Sequence, residues 1–279
     1  MPLAVLLVLA VGYVIGIVRA RRRRQQLPLV GPTLFYFLGL GIYAWATLGF
    51  LGVYSPQQRW LWVIKIAIVF FLVPWLIGAG RPAALLEAAL DERGRARMQA
   101  FFQSLFMRIV GSAVFEPLFS FAFLLLLITP LAGPMRTQEA WQDVIDVGLL
   151  VVGVLTVVPL AEDTRPHTSM RIGIEFMLAF AALVLDAIPG LCLRLINTVL
   201  DGVHTIPGLV LPWFKPAMSD QMMAGDILWC LAESADLPIL LILFLRWHRI
   251  DDREAKEVDE LSDEKLDELM RAHLQGRSR

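Results

Sequence analysis

Six ionisable residues project to the outer half or the middle of a bilayer, within stretches of the sequence that are otherwise apolar enough to cross a membrane. They are Lys65, Asp146, Asp186, Asp226, Glu233 and Asp236. A charge in a bilayer is costly unless it is paired, neutralised or hydrated, so Lys65 should face Asp186 or Asp146 rather than lipid. One lysine cannot neutralise five acids. The residue types therefore allow two interpretations, a structural charge network or a site that binds a cation or moves a proton.

The composition requires a membrane protein. Of 279 residues, 57% are hydrophobic, and the mean hydropathy is +0.63. Several uninterrupted apolar runs of about 20 residues cannot all be buried in one water-soluble core. Hydropathy predicts seven spans, at about 3–18, 29–53, 60–79, 111–132, 143–160, 172–195 and 225–246. We expect an all-α fold, a polytopic bundle of about seven transmembrane helices without β-barrel alternation.

The distribution of basic residues predicts the orientation. No basic residue precedes the first span, and "RARRRR" at 19–24 follows it at once. Arginines also concentrate in the loop 80–110 and after the last span. By the positive-inside rule, the N-terminus lies outside and the C-terminus lies in the cytoplasm. We expect the membrane to be a bacterial-type plasma (inner) membrane.

The parts outside the predicted spans have three distinct characters. Within the 1–250 bundle, residues 82–106 form an amphipathic pattern that suggests an interfacial cytoplasmic helix, although a simple connector is equally compatible. The outer loop 197–223 is rich in proline and aromatic residues, which fits a re-entrant or interface-hugging segment. Residues 251–279 form a charged cytoplasmic tail, in which Ser262 can cap a short helix.

The sequence lacks the motifs of soluble enzymes. It has no phosphate-binding glycine loop, no serine elbow and no Cys-x-x-Cys pair, and its four histidines are divided between the two sides of the membrane. The two cysteines match no metal or redox spacing. These patterns argue against an enzyme and against a histidine-built metal centre. The lipid bilayer is the expected environment, and nucleic acid is not an expected partner.

Two stretches carry a resemblance to a known family. They are "GPTLFYFLGLGIYAWATLGFLGVYS" (31–55) and "SDQMMAGDILWCLAESADLPILLILFLRWHRIDDREAKEVD" (219–259). The chain resembles the multi-span CtaG-type cytochrome c oxidase assembly factors, most specifically in its last third. The motif positions of the final span are Asp220, Gln221, Trp229, Glu233 and Pro238. The resemblance implies an integral membrane assembly or accessory factor for a respiratory terminal oxidase, with oxidase subunits or another respiratory membrane protein as partners.

The chain departs from the family where the resemblance places metal-ligating histidines. The aligned positions, from the third span to the sixth, hold Trp62 and Ile66, Glu116, Asp146 and Gly148, and Asp186. Lys65 lies beside the first two, and an ammonium has no lone pair with which to ligate copper. We therefore expect no cofactor.

Methionine thioethers are the remaining candidates for a copper site, because they suit Cu(I). The weak candidate ligands near the last span are Met218, Met222 and Met223.

The alternative to an assembly factor is a function of another class. In this alternative the protein is a transporter or channel that uses the outer-half carboxylates as a cation or proton site.

Overall fold

The computed structural model describes residues 1–23, 30–110, 115–161, 169–204 and 211–259, and within these ranges the chain is helical and contains no strand. Five helices are long and apolar enough to cross a membrane. They are α1 (Pro2–Arg22), α2 (Gly31–Tyr54), α3 (Arg59–Ala79), α9, which runs over Glu139–Ala161, and α10, which runs over Ser169–Leu195 and is apolar from Phe176 onward. The all-α fold class and five of the predicted spans are thus confirmed. The chain is a multi-pass membrane protein.

The other two predicted spans remain predictions. The fourth corresponds to α7 (Phe115–Leu126), an apolar helix of only 12 residues, and residues 111–114 lie outside the described ranges. The seventh lies inside α11 (Ala217–Asp259), a helix of 43 residues. This helix begins before the predicted span and continues past residue 250 without a break. The tail at 260–279, with the predicted cap Ser262, lies outside the described residues.

The end of the predicted loop 197–223 is helical instead. Helix α11 begins directly after Pro216, whose carbonyl accepts the Asp220 N–H at 2.9 Å. The loop is therefore shorter than the hydropathy indicates. The first turns of α11 contain polar residues, which is why hydropathy alone places them in the loop. Polar residues are common where a membrane helix emerges from the apolar core.

The amphipathic segment 82–106 forms three short helices rather than one. They are α4 (Pro82–Ala89), α5 (Glu92–Phe102) and α6 (Leu105–Val110). Leu90 is extended, and the side chain of Asp91 accepts the Gly94 N–H at 2.8 Å. This N-cap starts a new helix, so the local hydrogen bond overrides the helical periodicity of the whole segment.

A proline shapes the middle of α3. Pro74 has no N–H, so the carbonyl of Phe70 loses its usual helical donor, and the preceding turn Ile68–Leu72 widens into a π-helical turn. Gly153 of α9 packs at this point, where an added Cβ would lie 2.4 Å from the Pro74 ring. The two helices thus approach closely nine residues beyond Lys65 on α3.

A short helix, α8 (Ala132–Thr137), precedes α9. Helices α10 and α11 form a tight antiparallel pair. A Cβ on Gly225 would lie 2.6 Å from the carbonyl oxygen of Gly190. The other large packing layer is built from α2, α3 and α9, where Tyr43, Trp62 and Leu150 are buried. This layer holds the first of the polar contacts described next.

Candidate functional site

Lys65 forms a buried ion pair with Asp146. Lys65 lies about 9 Å along α3 from its first residue, at 1.5 Å per residue. Its Nζ lies 3.1 Å from Oδ1 and 3.2 Å from Oδ2 of Asp146 on α9. The two residues are only 1% and 4% exposed. The ammonium therefore contacts both carboxylate oxygens in a protein-lined interior, and Asp146 is the partner that the structure gives to Lys65.

Two buried aromatic residues lie close to this ion pair in the fold. The Tyr43 hydroxyl of α2 donates to the backbone carbonyl of Asp146 at 3.4 Å, and the Tyr43 side chain is fully buried. Trp62, one turn before Lys65 on α3, is also buried. In this buried setting the two charges attract each other strongly, because no bulk water is available to solvate either one in place of its partner.

The other predicted carboxylates take different partners. Asp186 on α10 accepts a hydrogen bond from the Ser120 hydroxyl of α7 at 3.3 Å. The Trp229 indole N–H donates to Glu233 one turn further along α11. The side chains of three residues that the sequence analysis singled out, Glu116, Asp236 and Pro238, lie outside what the structure describes.

A second polar cluster, which we call the polar clasp, was not predicted as a unit. It consists of Arg59, Arg136, Asp201, Asp220 and Gln221, all of them buried. It lies at the end of the bundle where the Met1 amino group contacts Asp143, near the start of α9. The two arginines and two aspartates balance in formal charge. This balance makes their burial tolerable, since buried ions need partners.

Asp201 joins both arginines of the polar clasp. Its Oδ2 accepts Nε of Arg59 at 3.2 Å and an Nη of Arg136 at 2.9 Å, and its Oδ1 accepts the Val203 N–H at 2.9 Å. Burial alone would raise the pKa of Asp201. The hydrogen bonds and positive charge of Arg59, together with the charge of Arg136, outweigh burial and hold this pKa below its ordinary value.

Asp220 caps the N-terminus of α3 from a different helix. Its two oxygens accept the backbone N–H groups of Arg59 and Trp60 at 2.6 and 3.0 Å. These are donors that an isolated α3 would leave unpaired. Burial raises the pKa of Asp220, although both backbone hydrogen bonds oppose this change. A residue 161 positions away thus supplies the cap that the sequence before α3 does not.

Gln221 connects three segments of the polar clasp. Its Oε1 accepts Nη1 of Arg59 at 2.6 Å and the Leu200 N–H at 2.8 Å, and its Nε2 donates to the Thr198 carbonyl at 2.9 Å. Asp220 and Gln221 were identified only as motif positions. The structure gives both a clear task, which is to fix α11 to the start of α3 and to the loop after α10.

The candidate copper ligands are half-buried near the start of α11. Met218, Met222 and Met223 all belong to its first two turns. In the described part of the chain, no three His, Cys, Asp or Glu side chains are arranged to hold a metal ion.

Comparison with known sequences places the chain in a family. The family of the cytochrome c oxidase caa3 assembly factors (Caa3_CtaG) matches residues 11–250. The chain belongs to this family. The match includes the Lys65–Asp146 ion pair and the whole polar clasp, so both features lie within the caa3 assembly factor region.

Two curated relatives are similar at a lower level. They are uncharacterized proteins of Mycobacterium bovis and Mycobacterium tuberculosis, each 24% identical over 269 residues. The alignment covers 92% of this chain but only 40% of each relative, so this chain spans less than half of their length. No solved structure matches the chain.

Proposed function

We propose that this chain is an assembly or accessory factor for a respiratory terminal oxidase, and that it acts by protein contacts without a histidine copper site. Membership of the caa3 assembly factor family over residues 11–250 is the observation that carries the proposal. The protein is not an enzyme. It resides in the inner membrane, with its N-terminus outside and its C-terminus in the cytoplasm.

The Lys65–Asp146 geometry supports a site without metal. In the family resemblance, Asp146 stands where relatives carry a ligand histidine, and Lys65 lies beside two further such positions. Here the ammonium engages both oxygens of that carboxylate at 3.1 and 3.2 Å. A copper ion at this place would be repelled by the positive charge of the Lys65 ammonium, which has no lone pair with which to bind the metal. The residues present do not fit copper, and the Lys65 ammonium supplies the positive charge beside Asp146 instead.

Helix α11 offers a face that a partner helix could cover. Trp229 is 38% exposed and donates to Glu233, which is half-buried. Gly190 of α10 packs directly on Trp229, which places Glu233 about 14 Å inside the end of the α10 span at 1.5 Å per residue. A carboxylate near the centre of a bilayer is costly in lipid. Contact with hydrogen-bond donors on an oxidase helix would remove that cost.

Co-purification tests the proposal. We expect terminal oxidase subunits, identified by mass spectrometry, to be retained with the tagged chain in mild detergent. Glu233→Leu should reduce this retention, whereas Leu241→Ala, which alters an exposed position of α11, should not. Deletion of the gene should lower the amount of assembled oxidase. Normal oxidase assembly in the deletion strain would contradict the proposal.

The competing transporter or channel predicts a different result. In that case, proteoliposomes containing the purified chain should show cation or proton flux that depends on Lys65 or Asp146. Flux of that kind, together with normal oxidase assembly in the deletion strain, would replace the assembly factor by the transporter.

A further inference from the structure

Three arginines surround a cleft at the end of the bundle opposite the polar clasp. The last turn of α1 carries Arg19 and Arg22, and Arg23 follows as the C-cap. The cleft has a volume of about 360 Å³ and is lined by Arg19, Arg22, Arg23, Ala89, Leu90 and Asp91. We call it the arginine cleft. Its volume falls within the range of small-ligand sites, roughly 300–1,000 Å³.

Packing between α1 and α4 creates the arginine cleft. Gly16 of α1 faces Leu85 of α4, where an added Cβ would lie 3.1 Å from the leucine side chain, and Ala20 is fully buried. Small residues on α1 thus let α4 lie against the end of the span. The extended Leu90 then turns the chain toward α5, and this turn forms the second wall of the cleft.

Hydrogen bonds hold that wall in place. An Nη of Arg23 donates to the carbonyl of Leu90, and Nε of Arg95 donates to the same carbonyl at 3.3 Å. Asp91 is the acidic residue of the lining, and its Oδ1 accepts the Gly94 N–H as the cap of α5. With three arginines and one aspartate, the lining has a formal charge of +2. An anion is therefore the ligand that suits the cleft.

The position of the cleft indicates the source of the anion. Helix α1 is a membrane-length helix, and the arginines occupy its last turn and its C-cap, which lie at the depth of the lipid headgroups. On the neighbouring α4, Leu86 is 47% exposed, as expected of a helix that lies in the interface. Arginine binds phosphate oxygens through two parallel N–H groups. We propose that the arginine cleft binds the phosphate of an anionic phospholipid headgroup.

Native mass spectrometry of the delipidated full chain tests this site. Phosphatidylglycerol and cardiolipin should be retained in preference to phosphatidylcholine. The triple variant Arg19→Gln/Arg22→Gln/Arg23→Gln should lose that preference. Each arginine near an anionic headgroup contributes about 1 kcal/mol, so the apparent affinity should fall roughly a hundredfold.

A matched variant controls for net charge and for membrane insertion. The triple Arg21→Gln/Arg93→Gln/Arg97→Gln removes the same number of arginines from the same end of the bundle but none from the cleft. It should keep the lipid preference. Equal losses in the two triple variants would overturn the proposal, since the binding would then reflect overall charge alone.

Two further arms separate the lipid from other ligands. The lysine version of the cleft, Arg19→Lys/Arg22→Lys/Arg23→Lys, keeps the charge and should bind anionic lipid more weakly than the wild type but better than the glutamine version. Inorganic phosphate should displace the lipid only in large excess. If phosphate binds as tightly as the anionic lipids, or if phosphatidylcholine is retained equally, a lipid headgroup is not the ligand.

Discussion

Replacement of Lys65 by methionine should strand a buried carboxylate. Methionine has a similar length and no charge, so Asp146 would lose the ammonium 3.1 Å from its Oδ1 while remaining 4% exposed. Removing one member of a buried ion pair costs about 3–5 kcal/mol. We expect Lys65→Met to lower both the folding yield and the thermal midpoint of the protein in detergent.

The cost should depend on the stranded charge rather than on the loss of lysine. Lys65→Met/Asp146→Leu replaces both charges by apolar side chains of related volume, and it should recover much of the lost stability. The control is Arg194→Met, which breaks the Arg194–Asp226 pair at 2.9 Å, where the side chains are 40% and 52% exposed. Arg194 is the next-to-last residue of α10, so this pair lies at the end of the span. A solvated pair contributes about 0–1 kcal/mol, so this control should change stability little.

The assay is thermal unfolding followed by size-exclusion chromatography, with oxidase assembly measured in complemented deletion cells. A structural ion pair predicts a double variant that is both stable and active, whereas a proton or cation site predicts one that is stable and inactive. The reasoning would be refuted if Lys65→Met were as stable as the wild type, because Asp146 would then have another way to lose or share its charge.

Three further predictions concern the polar clasp, the helix packing and copper. Asp201→Asn should destabilise the protein by about 3–5 kcal/mol at neutral pH, because it leaves two buried guanidinium groups without their carboxylate. The pKa of Asp201 is lowered in the folded state, so its contribution to stability is fully present above the ordinary carboxyl pKa of about 4 and is lost as the pH falls through the lowered value. The difference in unfolding free energy between wild type and variant should therefore shrink only below about pH 4. Gly225→Ala should force α10 and α11 apart and cost about 1–3 kcal/mol, whereas Gly148→Ala, with no atom within 4 Å of the added Cβ, should be tolerated in the same thermal assay. The purified chain should hold much less than one copper per molecule by elemental analysis, and stoichiometric copper that disappears when all three candidate methionines become leucine would show that thioethers form a site.

The amino-acid sequence by itself determined the environment and the main helices of this protein. Transfer of an apolar side chain into lipid is a property of each residue, so runs such as 60–79 identify a membrane helix without knowledge of its neighbours. The same local rule identified Lys65 as a charge that needs a partner. The motif around Asp220 and Gln221 also pointed to the family before any contact was known.

The division of the segment 82–106 into short helices was less predictable from its hydrophobic periodicity. The segment 82–106 has helical periodicity throughout, yet the Asp91 cap divides it. A periodicity sums over many residues, whereas one side-chain hydrogen bond can start a new helix.

Only the tertiary structure decided which charges meet. Lys65 could have faced Asp186 or Asp146, and Asp220 reaches Arg59 across 161 positions of sequence. In a helix that is apolar on all sides, the sequence does not reveal which face is turned toward a given neighbour. That rotation follows from close packing at small residues, such as Gly153 against Pro74 and Gly225 against the backbone of α10. Pairing across the bundle is therefore a property of the packed helices and not of any one segment.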